Sequence, residues 1–336
     1  MNKVTLFAVA GNPVLASREP TMFRRALAVA GMNAVCIRLA MRDARETAET
    51  IRQLDIKGTS ITSPFRETII PFLDVIDDGA RTTGSVNTVV NNAGRLKGYN
   101  TEHEGEGVMV AMDSTAGPCR RETRDAPTPG GRQRLLTGAS RAFSIFTGRD
   151  APLEEMEKAL LEDQLPNPGR ISFIGFMGAG KSSVGPAVAA RLSMPHVDVD
   201  ASIERKTGCT IGEIFRESGE EVFRRHERKE IRDILARRRC VMAAGGGSVL
   251  DGENVRNMKA SSLVVWLFAG LDETLLRIGG GTARPLAVGK GTIRELFTGR
   301  IPLYARAAHL LVKTDRASID EVAERIVHES DKAFRG

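Results

Sequence analysis

The stretch ISFIGFMGAGKSSV at residues 171–184 constrains this chain more than any other part of it. Its apolar start predicts a buried strand, and helix-compatible sequence follows Gly180-Lys181-Ser182. From Gly175 onwards it fits G-x-x-x-x-G-K-[ST], a pattern that needs a strand before it and a helix after it. Glycines allow a tight loop whose N–H groups converge, and the helix N-terminus adds partial positive charge. A plain strand–helix turn would not explain Lys181, so we predict a nucleotide phosphate-binding loop.

Composition indicates a globular protein with room for two domains. The chain has 336 residues, of which 41% are hydrophobic and 27% charged. A net charge of +6 suits anionic substrates but is too modest to indicate nucleic acid binding, and only 5% of residues are aromatic. No apolar run approaches the roughly 20 residues of a membrane helix, so we expect no membrane partner. Four scattered cysteines without metal-ligand spacing predict reduced thiols in a cytoplasmic protein: Cys36, Cys119, Cys209 and Cys240.

The first third of the chain alternates predicted strands with predicted helices. Such alternation is typical of an α/β domain with a largely parallel sheet. The apolar start Val4–Ala10 is interpreted as a strand rather than a signal sequence, because no cleavage pattern follows it. The other predicted strands are Ala34–Leu39, Ser60–Thr62 and Ser85–Val90, and the predicted helices are Thr21–Ala30, Ala44–Leu54 and Glu67–Val75.

Four motifs in this region resemble, in order, the substrate-binding domain of shikimate dehydrogenase: GNPVLASREP, GTSITSPFRE, GSVNTVV and GYNTEHEG. That family continues into an NADP-binding Rossmann domain, which needs G-x-G-x-x-G after a strand. Here a Pro-, Gly- and Arg-rich segment follows instead and predicts a linker at 113–137. Ala139–Leu161 then resembles the family's C-terminal helices. We therefore expect an α/β substrate domain at 1–165, without a cofactor domain and without NADP.

The same resemblance implies a ligand site whose proton-transfer residues have changed. The family's catalytic lysine and aspartate fall on Arg66 and Glu102, and arginine stays protonated, so it cannot act as acid or base. Of the family's two shikimate-binding serines, Ser17 remains and the other falls on Glu19, while a glutamine contact falls near Ala142. The candidate ligand positions are Ser17, Glu19, Thr62, Arg66, Asn87 and Glu102.

Three interpretations of this first half stay open. It is an inert structural remnant, a pocket kept for a ligand that regulates the second half, or a dehydrogenase that would make the chain bifunctional. The missing cofactor domain and Arg66 argue against the last of these. Glu19 would repel the carboxylate of shikimate and Arg66 would attract it, so the ligand need not be shikimate.

Beyond the phosphate loop, the sequence predicts a second set of polar groups. A strand predicted at His196–Asp200 would carry Asp198 and Asp200 on one face, since side chains alternate. Asp198 would then reach Mg²⁺, and Asp200 would face the pocket for the substrate that accepts the phosphoryl group. The alternative is that both are solvated acids at the end of a strand. Gly245-Gly246-Gly247 permits close backbone approach to a small ring. Glycines at 279–291 predict a mobile lid that carries Arg284.

The remaining elements of the second half follow from its periodicity. Helical sequence runs from Ile203 to Leu235 with interruptions at Gly208 and Gly219. The other predicted helices are Lys181–Leu192, Asp272–Ile278 and Ile319–Val327, and the predicted strands are Ile171–Ile174, Cys240–Ala244, Leu263–Phe268 and Leu310–Thr314.

From about residue 169 to its end, the chain resembles shikimate kinase. The shared motifs are GFMGAGKSSVG, the DVD pair, FRRHE, the GGG turn, ARPL and RIPLYARAA. Gluconate, adenylate and cytidylate kinases share the phosphate loop but not the rest in this order. The resemblance implies a P-loop NTPase fold with a parallel sheet at 166–336. It also implies ATP-dependent phosphorylation of the shikimate 3-hydroxyl, a step towards chorismate and the aromatic amino acids.

The resemblance implies a role for each matching residue. Lys181, Asp200 and Arg284 would be catalytic, and Mg²⁺ would lie on Ser182 and Asp198. Glu227 would orient Arg224. ATP would be bound by Gly178, Ala179, Gly180, Lys181, Ser182, Ser183, Arg277 and Arg284, and shikimate by Asp200, Arg224, Gly246, Gly247 and Arg300.

Two alternatives to this function are kept. The chain is a P-loop kinase for another small hydroxy acid, or a metabolite-sensing regulatory protein whose kinase is secondary. The expected partners are the small molecules ATP and shikimate, and no oligomeric state follows from the sequence.

Overall fold

The computed structural model describes residues 4–102, 129–162, 169–237, 239–279 and 290–334. The chain divides into two compact units, Met1–Cys36 with Arg42–Asp163 and Ile37–Met41 with Gln164–Gly336. Within the described ranges, no helix combines the length and the apolar character that a membrane crossing requires.

The first unit follows the alternation that the sequence predicts. β1 and β3 pair in parallel, whereas β5 runs antiparallel to β3 and forms an antiparallel hairpin with β6. The strands β1 to β6 are Thr5–Gly11, Ala34–Ala40, Gly58–Ile61, Val75–Ile76, Thr88–Asn92 and Arg95–Tyr99, and β2 belongs to this unit only as far as Cys36. The helices α1 to α6 are Glu19–Val29, Ala44–Gln53, Phe65–Thr68, Asp78–Thr83, Pro129–Thr147 and Leu153–Glu162.

The strand β6 is not predicted from the sequence, although a turn signal precedes it. Ala93 and Gly94 join β5 to β6, and both have positive φ angles, 52° and 91°. Two such residues form the tight turn whose twist matches an antiparallel hairpin. The Asn91 side chain also accepts a hydrogen bond from the Gly94 N–H at 2.7 Å.

Two predicted boundaries in this unit are wrong. The helix predicted at Glu67–Val75 is the short α3, a single 3-10 turn at Ile70–Phe72 and the strand β4. Pro71 lacks the N–H that a continuing helix needs. The linker predicted at 113–137 is helical from residue 129, where Pro129 begins α5 in a position that suits proline. Residues 113–128 lie outside the described part of the chain.

The core of the first unit forms where α1 and α5 pack on the sheet. The Phe146 ring on α5 lies 5.7 Å from the ring of Phe7 and 5.6 Å from that of Phe23, measured between centroids. Phe7 and Phe23 are buried. Gly58 on β3 faces the same ring, so its missing side chain makes room for Phe146.

The second unit contains a parallel sheet in the order β8-β9-β7-β10-β11. All six residues of β10 are buried, as expected for a strand covered on both faces. The strands β7 to β11 are Arg170–Ile174, His196–Asp198, Cys240–Ala243, Leu263–Phe268 and Leu310–Lys313. The helices α7 to α13 are Lys181–Leu192, Val199–Thr207, Ile211–Leu235, Gly252–Ser261, Leu271–Gly279, Lys290–Ala307 and Ile319–Phe334.

The predicted interruptions at Gly208 and Gly219 are confirmed, but the strand predicted at His196–Asp200 is shorter. Gly208 ends α8 with φ 73°, and Gly219 kinks α9 with φ 81°. The strand β8 ends at Asp198, whose side chain caps α8 by accepting from the Ala201 N–H at 3.2 Å. Asp200 therefore lies in the first helical turn, and the two aspartates do not share a strand face.

We predict that Gly58→Ala destabilises the first unit. A Cβ at Gly58 would lie 2.2 Å from Cδ1 of Phe146, so the ring must move and the core must repack. Overpacking of this kind costs about 1–3 kcal/mol of unfolding free energy. Gly138→Ala is the matched control, because a Cβ there meets nothing within 4 Å and alanine favours helix α5. Chemical denaturation should separate the two variants, and equal stability would contradict this packing.

Candidate functional site

The phosphate loop joins β7 to α7 and needs glycine where it turns. At Gly175 φ is 147°, and a Cβ there would lie 2.3 Å from the carbonyl oxygen of Leu267. Gly178 and Gly180 also have positive φ angles, 76° and 92°. The loop opens on a cavity of about 430 Å³. That cavity is lined by Gly178, Gly180, Lys181, Ser182, Ser183, Val184, Arg277, Thr314, Ala317, Ser318, Ile319 and Val322.

Lys181 begins α7 and its ammonium group lies over the loop. The Nζ atom donates to the carbonyl oxygens of Gly175 at 2.8 Å and Phe176 at 3.0 Å. The structure thus brings a positive charge to the helix N-terminus, where converging N–H groups already favour an anion.

Ser182 and Asp198 meet beside the cavity. The Ser182 Oγ donates to Oδ2 of Asp198 at 2.9 Å, while Oδ1 of Asp198 caps α8. The cap fixes the carboxylate, so both oxygens are held next to the loop. A hydroxyl and a carboxylate are the oxygen ligands that Mg²⁺ prefers, so this pair fits the predicted metal position.

Arg277 closes the opposite wall of the same cavity. Its Nη1 donates to the carbonyl oxygen of Gly178 at 3.1 Å, and its Nη2 donates to that of Thr314 at 2.8 Å. Glu273, one turn earlier on α11, accepts from its Nε at 2.8 Å. These bonds connect the phosphate loop to the segment after β11 and hold the guanidinium in the cavity wall.

Asp200 and Glu227 converge on the glycine turn that follows β9. A Cβ at Gly245 would lie 2.9 Å from Oδ1 of Asp200 and 3.0 Å from Oε1 of Glu227. Glu227 is fully buried, and its Oε1 accepts from the Ser248 Oγ at 2.7 Å. Glycine leaves room here for two carboxylates to approach the backbone, a reason that the sequence pattern did not supply.

Arg224 lies over the same turn. Its Nη1 donates to Oε2 of Glu227 at 2.9 Å and its Nη2 to Oε1 of Glu220 at 2.9 Å. Burial alone lowers the pKa of Arg224, but the charges and hydrogen bonds of these two carboxylates outweigh it and raise the pKa. Nη2 would lie 2.7 Å from a Cβ at Gly247, so the guanidinium faces the glycine turn. Glu227 thus holds Arg224 in the way the sequence analysis expected.

Two residues of α12 contact the turn from another side. Arg300 Nη1 donates to the carbonyl oxygen of Gly246 at 3.3 Å, and the Tyr304 hydroxyl donates to the same oxygen at 2.6 Å. The Arg300 guanidinium also lies 5.5 Å from the centroid of the Phe176 ring, within cation–π range. Sequence reasoning missed Tyr304, although the segment RIPLY places it one helical turn after Arg300.

In the first unit, Arg66 and Glu102, which the resemblance aligns with a lysine and an aspartate, form an ion pair. Arg66 Nη1 lies 3.0 Å from each carboxylate oxygen of Glu102. Its Nε donates to the carbonyl oxygen of Ile61 at 3.1 Å, which fixes the guanidinium at the end of β3. The structure therefore brings these two positions together, with an arginine–carboxylate pair in place of a lysine–aspartate pair.

Two other candidates of this unit, Asn87 and Thr62, make hydrogen bonds within the first unit. The Asn87 Oδ1 accepts from the N–H and the Oγ1 of Thr101, at 3.0 and 3.1 Å. The Thr62 Oγ1 donates to the carbonyl oxygen of Ala10 at 3.1 Å. Ser17 precedes α1 and Glu19 lies in its first turn, largely buried. Ala142 is buried on α5, and Arg284 lies outside the described residues.

Comparisons with known proteins find a match in each half of the chain. A family model described as shikimate kinase matches residues 177–331, and one described as the shikimate dehydrogenase substrate binding domain matches residues 9–89. A shikimate kinase of Thermobifida fusca is 41% identical over 158 residues, which are 46% of this chain and 91% of the relative. A shikimate kinase of Thermodesulfovibrio yellowstonii is 40% identical over 169 residues, which are 49% of this chain and 97% of the relative.

Among solved structures, a shikimate kinase from Acinetobacter baumannii in complex with shikimate is 35% identical. The match covers 49% of this chain and 92% of that chain, with a TM-score of 0.46. The curated relatives are matched over nearly their whole length at about 40% identity. This chain belongs to the shikimate kinase family, and a region like the substrate-binding domain of shikimate dehydrogenase precedes its kinase half.

Proposed function

We propose that the second half, residues 166–336, transfers the γ-phosphoryl group of ATP to the 3-hydroxyl of shikimate, giving shikimate 3-phosphate and ADP. The observation that carries this proposal is the meeting of two kinds of chemistry at one edge of the parallel sheet. A phosphate loop with Lys181 follows β7, and a glycine turn contacted by Arg224 and Arg300 follows the neighbouring β9. The phosphate loop suits a triphosphate, and the glycine turn with its two arginines suits a small acid with several hydroxyl groups.

On the nucleotide side, the loop N–H groups and Lys181 would bind the phosphates. The 430 Å³ cavity that Arg277 and Ile319 help to line would receive the rest of the nucleotide. Ser182 and Asp198 would hold Mg²⁺, which neutralises phosphate charge when it is bound. Arg284 is proposed, from its place in the sequence, to contribute a further positive charge.

On the acceptor side, Arg224 and Arg300 would bind the carboxylate of shikimate. Planar guanidinium groups suit carboxylates, because two parallel hydrogen bonds can form. The glycine turn lets the ring approach the backbone, and Asp200 lies beside that turn. Asp200 would accept a hydrogen bond from the 3-hydroxyl and set its oxygen in line with the γ-phosphorus.

The reaction then needs positioning more than covalent work by the protein. The 3-hydroxyl oxygen forms a bond to the γ-phosphorus while the bond from that phosphorus to the bridging oxygen breaks. The hydroxyl proton passes to Asp200, and Lys181 stabilises the charge that develops on the phosphate oxygens. The same geometry would serve another small hydroxy acid with a carboxylate, so quinate and gluconate are the competitors to compare.

For the first half, residues 1–165, we propose a structural or ligand-binding role without dehydrogenase chemistry. The ion pair between Arg66 and Glu102 supports this proposal, because it holds a permanently charged group where a lysine would exchange protons. A cytoplasmic location remains a prediction from the scattered cysteines.

The first test is an ADP-release assay on the whole chain with MgATP and shikimate, beside an assay of NADPH formation from shikimate and NADP. We expect ADP release that requires shikimate, and no NADPH. NADPH formation would contradict the proposal for the first half. ADP release faster with quinate or gluconate than with shikimate would contradict the proposed substrate.

Lys181→Ala should lower turnover by about 100-fold or more, since removing one charge-stabilising donor at a reacting centre has effects of this size. Lys229→Ala is the control, because Lys229 is an exposed lysine on α9. Thermal unfolding of both variants should match that of the wild type. Near-normal turnover of Lys181→Ala would remove Lys181 from the proposed catalytic residues.

Arg224→Ala should raise the Kd of shikimate by roughly 10- to 100-fold, because a charge-assisted hydrogen bond is lost. The Kd of ATP should stay unchanged. Arg225→Ala is the matched control, because Arg225 follows Arg224 in the chain and its side chain is exposed. A shikimate analogue with a carboxamide in place of the carboxylate should lose less affinity than shikimate does. Equal losses for the acid and the amide would show that Arg224 does not bind the carboxylate.

A further inference from the structure

The carbonyl oxygen of Gly246 accepts two hydrogen bonds from α12, and only one of them has a role in the proposed function. Arg300, at 3.3 Å, belongs to the carboxylate-binding pair. Tyr304, at 2.6 Å, makes the shorter bond and is 2% exposed. Its hydroxyl is therefore held within the protein and faces the turn rather than solvent.

The sheet fixes the position of that hydroxyl. The Tyr304 ring stacks on Trp266 of β10, with the centroids 5.6 Å apart and the planes 29° from parallel. Trp266 is itself buried in the middle of the sheet. Burial also raises the pKa of Tyr304 well above its ordinary value, so the group stays a hydrogen-bond donor. The direction of its bond to Gly246 is set before any substrate arrives.

The same bond orients the next N–H group. The C=O of Gly246 and the N–H of Gly247 belong to one planar peptide unit and point in opposite directions. Without side chains, two successive glycines would otherwise rotate easily. Within the described residues, the Gly247 N–H donates no hydrogen bond, and Arg224 lies directly beside Gly247. Gly247 thus offers an N–H donor on the residue that the Arg224 guanidinium lies beside.

We propose that Tyr304 is a positioning residue for the acceptor substrate. Its hydroxyl holds the Gly246 carbonyl, and this aims the Gly247 N–H at an oxygen of shikimate bound by Arg224 and Arg300. Tyr304 does not contact the substrate. It acts on the affinity for shikimate and leaves the nucleotide side of the site unchanged. This inference rests on the proposed function.

Tyr304→Phe removes the hydroxyl and keeps the ring that stacks on Trp266. We expect calorimetry on the full chain to show a roughly 3- to 10-fold higher Kd for shikimate, the range that one lost hydrogen bond gives. The Kd of ATP should be unchanged, and the KM for shikimate should rise with kcat within about twofold of the wild type.

Ser262→Ala is the matched control. The Ser262 hydroxyl is buried and bonds to the Ser172 Oγ at 2.7 Å and to the Met258 carbonyl oxygen at 2.8 Å. It precedes β10 and so lies at the opposite edge of the sheet from the glycine turn. The control should lose stability without losing affinity for shikimate.

Three outcomes would overturn the inference. They are an unchanged shikimate Kd in Tyr304→Phe, an equal loss of ATP affinity, and the same loss of shikimate affinity in Ser262→Ala. A wild-type chain that binds no shikimate would overturn the proposed function and the inference with it, so the two failures are distinguishable.

Discussion

Strand β7 pairs in parallel with β9 on one side and with β10 on the other, and the kinase site depends on this pairing. Because parallel strands end at the same edge, the phosphate loop after β7 lies beside the glycine turn after β9. A Cβ at Gly246 would be 3.6 Å from the carbonyl oxygen of Gly175, which shows how closely the two turns approach. The two substrates are therefore brought together by backbone geometry, and the side chains select what binds.

The sequence allowed the phosphate loop to be predicted because its function imposes residue types at fixed spacing. Lys181 and Ser182 occupy the positions that the pattern requires. Contacts between distant segments leave no such spacing. Glu227 and Ser248, or Tyr304 and Gly246, meet only after the chain has folded. The boundary error at His196–Asp200 has a local origin instead, since Asp198 ends its strand early by capping α8, and the cap outweighs the alternation of side chains.

The two units differ in how they use charge. In the second unit, Arg224 is held by carboxylates on its own helix and still faces the glycine turn. In the first unit, Arg66 and Glu102 are bound to each other. An arginine with a glutamate carries the same two charges as a lysine with an aspartate, so the pair stays electrically balanced although arginine does not exchange its proton. The fold of the first unit is thereby compatible with the proposed absence of dehydrogenase chemistry.

Trp266 is the only tryptophan of the chain, and it lies in the central sheet of the second unit, stacked on Tyr304. Its fluorescence therefore reports on the kinase half without a tryptophan signal from the first half. Denaturation can be followed by the fluorescence of Trp266 and, in parallel, by circular dichroism of the whole chain. The comparison resolves the stability of each half in the intact protein. The chain carries its own optical probe for asking whether its two halves unfold together or one after the other.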